Sequence, residues 1–193
     1  MSLGYGPGGK NTSQIGGKIV ALSASYSRDL GPLTQAADRI KTRGGPRMAA
    51  VRRFDHVGIT VANLDDVTDF FVGLGFEVDG RTFIEGDFLD TVIGMSNART
   101  EIVMLRPPDG GVALELSSFI RPAHEPGSPT AMANELGLRN IAFEVDDLSA
   151  LVTRLTADGH QLVGGIGEYE RMWRMAYIRG PEGIIVSLAE RVG

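Results

Sequence analysis

Residues 56–66 read HVGITVANLDD, and 84 positions later residues 140–150 read NIAFEVDDLSA. Between the two copies Val61 falls on Val145, Leu64 on Leu148, Phe71 on Leu155 and Gly75 on Gly159 without a gap. The copies also end alike: residues 106–116, RPPDGGVALEL, match residues 179–188, RGPEGIIVSL, with one residue fewer in the second turn. The offset there is 72, Glu115 against Ser187, so the first copy carries about 12 extra residues in its middle. A repeat fixes the architecture, and two copies are too few for a solenoid. They predict two similar modules packed as a pair.

Side chains on a strand alternate between faces. Val57, Ile59 and Val61 share one face of the opening strand, and His56, Gly58 and Thr60 the other. In its copy Ile141, Phe143 and Val145 oppose Asn140, Ala142 and Glu144. The closing strands divide in the same way, with Val112, Leu114 and Leu116 against Ala113, Glu115 and Ser117, and Ile184, Val186 and Leu188 against Ile185, Ser187 and Ala189. Each module therefore has one apolar sheet face ready to take a helix. The other face is small and polar, with His56 and Glu115 in the first copy and Asn140 and Ser187 in the second.

The fold class is α+β, with two modules each reading strand, helix, strand, strand, strand. The first occupies residues 48–119. Asn63 caps its helix, Leu64, Val67, Phe70, Phe71 and Leu74 form the apolar stripe, and Gly75 stops it. Residues 76–81 read as the next strand. Residues 82–99 are the extra segment, too apolar for a loose loop, and expected to fold over the polar face or onto a partner. Residues 120–138 form a proline-rich linker with a short helix expected at 130–136. The second module, 139–193, has Leu148, Leu151, Val152 and Leu155 on its helix, Asp147 as cap and Gly159 as stop. Its further strands are expected at 161–165, 172–179 and 183–190, and Gly164-Gly165-Ile166-Gly167 reads as a flexible loop.

Residues 1–47 differ from the rest. They hold seven Lys or Arg against Asp29 and Asp38, a net of +5, whereas residues 48–193 carry 12 Arg against 22 acids, a net of −10, and no lysine. We read 1–47 as a flexible basic extension, with Met48 as an alternative start and a basic organelle leader as the lesser alternative. The acidic body argues against a nucleic-acid partner. No apolar run approaches the roughly 18 residues of a membrane span. The chain has no cysteine, which excludes disulfides, thiolate metal sites and cysteine nucleophiles and agrees with a cytoplasmic setting.

Two βαβββ modules with His or Glu facing inward from first and last strands resemble the vicinal oxygen chelate superfamily. That group includes glyoxalase I, extradiol dioxygenases, methylmalonyl-CoA epimerase and the bleomycin-resistance proteins. The resemblance covers roughly residues 53–190 and is carried by HVGITVANLD, ALELSSF, LRNIAFEVDDL and RGPEGIIVSLAE. It implies a glyoxalase-like paired curved sheet with helices on the outer faces, a small-molecule ligand in the cleft, and a homodimer. It also implies a divalent metal, of identity unknown, held from the first and last strands of each module. His56 and Glu115 match that pattern. Asn140 stands where a histidine is expected, and Ser187 where a glutamate is.

His56 is a metal ligand or a histidine bonded structurally to Glu115. Glu115 is a ligand and a catalytic candidate, and Glu144, on the inward face, is either a proton carrier or a solvated rim residue. Trp173, Met175, Tyr177 and Arg179 share one face of their strand, and Met172, Arg174, Ala176 and Ile178 the other. The first face in the cleft makes an aromatic pocket, the second places Arg174 on a carboxylate or phosphate. Asn140, Trp173, Arg174, Tyr177 and Ser187 are accordingly the candidate ligand-binding residues. Two functions follow: a metal-assisted lyase, isomerase or dioxygenase, and a metal-free protein that sequesters a small molecule, as bleomycin-resistance proteins do.

Overall fold

Helix, turn and strand signals recur in register along the two copies, and the computed structural model, which describes residues 50–193, places them at matching points. In the first module β1 (His56–Thr60), α1 (Leu64–Gly73), β2 (Glu77–Glu85), α2 (Asp87–Ile93), β3 (Arg99–Arg106) and β4 (Ala113–Arg121) follow in order. The second has β5 (Ile141–Glu144), α3 (Leu148–Ala157), β6 (Gln161–Leu162), β7 (Gly167–Tyr169), β8 (Trp173–Arg179) and β9 (Ile185–Arg191). The sheets run β1-β4-β3-β2 and β5-β9-β8-β6, with β7 paired to β8. In each, first and last strands are parallel neighbours, His56 to Thr60 beside Ala113 to Ser117 and Ile141 to Glu144 beside Val186 to Ala189. The repeat extends to single backbone bonds. Val61 N–H donates to Ser117 C=O at 2.9 Å, and its counterpart Val145 N–H to Ala189 C=O at 2.8 Å. The extension at 1–47 lies outside the described residues, and no helix among those described is long and apolar enough to cross a membrane.

The helices form where their stripes find a sheet. Asn63 Oδ1 accepts from Asp66 N–H at 3.1 Å, and Asp147 Oδ1 from Ala150 N–H at 2.9 Å, so each side chain caps its helix. Gly75 (φ 100°) and Gly159 (φ 95°) take the left-handed turn that ends each one. Leu64, Val67, Phe70 and Phe71 of α1 and Leu148, Val152 and Leu155 of α3 are buried. They share one apolar cluster with Val103, Leu105, Leu114 and Leu116 of the first sheet and Ala176, Ile178, Val186 and Leu188 of the second. The helix-bearing convex faces of the two modules thus pack against each other. Phe76 meets Phe143 edge-on at 5.4 Å, and Phe70 meets His160 at 4.8 Å. Val57 and Ile59 pack against this cluster, as the alternation requires. The concave faces lie outside it.

Three local expectations change. Residues 82–85 extend β2, because their alternation continues against Arg99 to Ile102 of β3. The rest of the extra segment holds α2, which buries Leu89 but leaves Phe88 and Val92 exposed. Asp90 fixes its exit by accepting from Asn97 and Ala98 N–H at 2.6 and 2.8 Å. Residues 130–136 form turns rather than a helix. Arg179 donates to the carbonyls of Pro129 and Ala131 at 3.0 and 2.9 Å, and a seven-residue helix would have to hold those groups without tertiary support. The glycine-rich loop leads into β7, where Gly167 to Tyr169 pair with Met175 to Trp173, so β6 stops at Leu162.

Candidate functional site

On the concave face of the first module the register sets Gly58 of β1, Glu115 of β4, Met104 of β3 and Gly80 of β2 in one row. A side chain at Gly58 would meet nothing within 4 Å, so the space beside Glu115 is open. His56 stands at the start of β1, one position before the strand's first convex-facing residue. Its Nδ1 lies 3.0 Å from Asp55 Oδ2 and its Nε2 3.9 Å from Glu115 Oε2. Glu115 Oε1 accepts from Ser117 Oγ at 3.1 Å. A carboxylate only accepts, so the Asp55 bond assigns the proton to Nδ1 and leaves the Nε2 lone pair of neutral His56 on the Glu115 side. The hydrogen bond from His56, with the charge of the Arg53 guanidinium behind it, holds the Asp55 carboxyl below its ordinary value of 3.8. His56 and Glu115 are partly exposed, at 37% and 24% of their side chains, so a ligand can reach both.

The second module treats the matching positions differently. Asn140 Nδ2 donates to Tyr177 Oη at 3.4 Å. Tyr177 sits opposite Ser187 on β9, and Asn140 lies beyond β9 on β5's side, so the tyrosine side chain spans β9 on its concave face. Ser187 and Ile185, on that face, are 2% and 4% exposed. Ala176 and Ile178 belong to the core cluster, which decides the face of β8. Trp173, Met175, Tyr177 and Arg179 take the concave side. Arg174 takes the convex side, where it donates to Glu190 Oε2 at 3.2 Å and Ser149 Oγ at 2.8 Å, so it does not share the face of Asn140 and Tyr177. Glu144 is exposed and lines a separate cavity of about 620 Å³ with Phe76, Asp109 and Phe143. Among the described residues no hydrogen bond or ion pair joins Glu144 to His56 or Glu115, and no three His, Asp or Glu side chains converge as a metal-binding group. The structure therefore brings together His56 with Glu115, and Asn140 with Tyr177 and Ser187.

Sequence reasoning missed three residues. Asp55 adjoins His56 in sequence, but its side chain reaches the imidazole only because β1 begins after it. Glu182 is a turn residue whose partners, Ala62 and Asn63, lie 120 and 119 positions away. Arg139 precedes the candidate residue Asn140 and carries no sequence signal of its own.

A family model described as the glyoxalase/bleomycin resistance protein/dioxygenase superfamily matches residues 55–177. No curated protein matches. Among solved structures, a glyoxalase family protein of Bacillus cereus is 38% identical with a TM-score of 0.73, over 77% of this chain and 100% of that one. A glyoxylase/bleomycin resistance protein/dioxygenase domain of a Frankia species is 20% identical with a TM-score of 0.52, over 75% and 93%. A glyoxalase/dioxygenase of Nostoc punctiforme is 17% identical with a TM-score of 0.50, over 76% and 99%. The last two speak for the fold alone. The paired βαβββ modules, the family match across most of both and the Bacillus cereus relative make this chain a member of the glyoxalase/bleomycin resistance protein/dioxygenase superfamily, the vicinal oxygen chelate group.

Proposed function

We propose that the protein binds a small organic molecule on its concave sheet faces, beside a divalent metal ion held by His56 and Glu115. The observation that carries this reading is the chain Asp55–His56–Glu115. An imidazole nitrogen and a carboxylate oxygen suit zinc, manganese or nickel. Two donors on one such ion stand about 3–3.4 Å apart when each bond is about 2.1 Å. The observed 3.9 Å between Nε2 and Oε2 closes to that with a small turn of either side chain. Asp55 on Nδ1 fixes the orientation of the ring, as carboxylates behind ligating histidines do. Ser117 holds Glu115 in place. Bound there, the ion would act as a Lewis acid on substrate oxygens.

The second module supplies a wall rather than ligands. Trp173, Met175 and Tyr177 give it apolar surface and Asn140 a neutral hydrogen-bonding group, while Glu144, in its separate cavity, takes no part. Because the convex faces are joined within one chain, a second copy is the natural source of a facing concave surface, and we read the working unit as a homodimer.

Calorimetric titration with zinc, manganese and nickel tests the metal. Saturable heat in the wild type, lost in His56→Ala and reduced in Glu115→Gln, is the expected result. Absence of heat in the wild type would sink it. The hydrogen bond from Asn140 to Tyr177 favours a second reading, in which the cleft sequesters its ligand without metal. On that reading the double replacement Asn140→His with Ser187→Glu gains no metal affinity. It loses stability instead, because a carboxylate at position 187 would be buried without a partner.

A further inference from the structure

Arg139 is, among the described residues, a charged group that neither the fold nor the proposed site uses. Other arginines are engaged: Arg81 with Asp65 and Glu101, Arg121 with Glu85 and Asn97, Arg174 with Glu190 and Ser149. Arg139 Nε is buried and has no hydrogen-bond partner, and no ion pair or side-chain hydrogen bond to Arg139 occurs among the described residues. A buried guanidinium N–H without an acceptor is unfavourable, and each such group in a native structure calls for a cause. The side chain folds back over Gly137, whose added Cβ would lie 3.5 Å from Nη2 and 3.9 Å from Nε. It lines a cavity of about 190 Å³ where the linker, β1 and the β8–β9 turn meet. Ile59, Ile141, Ile184 and Ile185 form its apolar wall, and Ser128 is also at its edge. Glu182 is the acid in the wall, but both its oxygens accept from Ala62 N–H and one also from Asn63 N–H.

The geometry points to this cavity as a binding site for a small monocarboxylate with a short, branched apolar body. The guanidinium lines this cavity and offers a planar fork that matches a carboxylate. Four isoleucines suit a branched hydrocarbon and give nothing to a bare phosphate. The volume is below the roughly 300 Å³ at which drug-sized pockets begin, which excludes a nucleotide or a peptide. Asn140 also lines this cavity, but His56 and Glu115 do not, so the proposal does not depend on the metal reading.

The test is NMR on the full-length ¹⁵N-labelled protein, following the arginine Nε–H signals, with Arg139→Lys identifying the Arg139 signal by its loss. Isobutyrate should move that signal saturably, and the neutral isostere isobutyramide should not. Calorimetry should find isobutyrate binding about tenfold weaker in Arg139→Lys, which keeps the charge but not the fork, and absent in Arg139→Gln. Metal titration should be unchanged in both variants. Equal shifts with isobutyramide, or shifts that never saturate, would overturn the proposal. So would an Arg139 signal that moves in Glu182→Gln without isobutyrate and no longer answers to it in the wild type, which would show an ion pair with Glu182. The comparison of isobutyrate with isobutyramide needs no variant, so a failure of Arg139→Gln to fold leaves it decisive.

Discussion

Replacing Glu182 tests how the two modules are joined. Its carboxylate accepts from Asn63 N–H at 2.6 Å and from Ala62 N–H at 2.8 and 3.0 Å, across the junction and at the start of α1. Hydrogen bonds to a charged group contribute about 1.5–3 kcal/mol each when well shielded, and a carboxylate at a helix N-terminus about 0.3–1 kcal/mol. Glu182 is exposed, so water competes and the lower end applies. We expect Glu182→Ala to cost about 2 kcal/mol and Glu182→Gln, which keeps one acceptor oxygen without the charge, about 1 kcal/mol. Backbone conformation adds a discriminating variant. Glu182 has φ of 53°, a left-handed geometry that disfavours residues with a Cβ by about 1–2 kcal/mol. Glu182→Gly loses the carboxylate but relieves that strain, so it should be more stable than Glu182→Ala by about 1 kcal/mol. Urea unfolding reads the order Glu, Gln or Gly, then Ala, and the melting temperature should fall by about 2–4 °C for each kcal/mol lost. An alanine variant within about 0.5 kcal/mol of the wild type, or a glycine variant below alanine, would refute the reasoning.

Other outcomes follow from the same geometry. Asp55 has a folded-state value below 3.8, so its contribution to stability is present above that pH and lost as pH falls through the lower folded value. A carboxyl titration by NMR should show that value rising in His56→Ala, and no change there would show that His56 does not hold the proton donor. Sedimentation at micromolar concentration should give the mass of a homodimer, and a monomer would count against a cleft shared between copies. Tyr177→Phe removes a long hydrogen bond of 3.4 Å and should cost no more than about 1 kcal/mol by thermal unfolding. A larger loss would mean that the phenol does more than hold Asn140.

The parts of the fold decided by short-range pattern were legible in the sequence. Alternation in residues 57–61 and 141–145 gave the convex faces, and the stripe Leu64, Val67, Phe70, Phe71 with Asn63 before it gave α1 from its first residue. Parts decided by distant partners were not. The face of β8 depends on Ala176 and Ile178 meeting the core, since four plausible residues stand on each side. The segment 130–136 has helical composition, but Arg179, 48 positions away, takes the carbonyl of Ala131, and also that of Pro129 just before the segment. At the candidate site, the nearness of His56 and Glu115 was legible because alternation puts both on one face of the first and last strands. Their setting was not, because Asp55 lies off the strand, and the bond between Asn140 and Tyr177 joins residues 37 positions apart.

The two copies match in the shared core and part on the concave faces. Val61, Leu64 and Phe71, with Leu148 and Leu155, lie in the shared core, where truncating such a side chain to alanine costs about 2–5 kcal/mol. His56 and Glu115 stand outside that core, so the core packing does not require their counterparts to match them. Yet Asn140 and Ser187 are not independent of each other. With Tyr177 spanning β9 toward Asn140 and Ser187 buried beneath that face, a glutamate at 187 has no route to solvent unless the tyrosine moves. A histidine at 140 would lose the present partner of Tyr177 as well. Asn140, Tyr177 and Ser187 therefore act as one unit whose neutral side chains and small central hydroxyl fit one another. That unit makes the concave face of the second module neutral where the first carries His56 and Glu115, and it explains in physical terms why a two-fold repeat carries a one-sided set of charged groups.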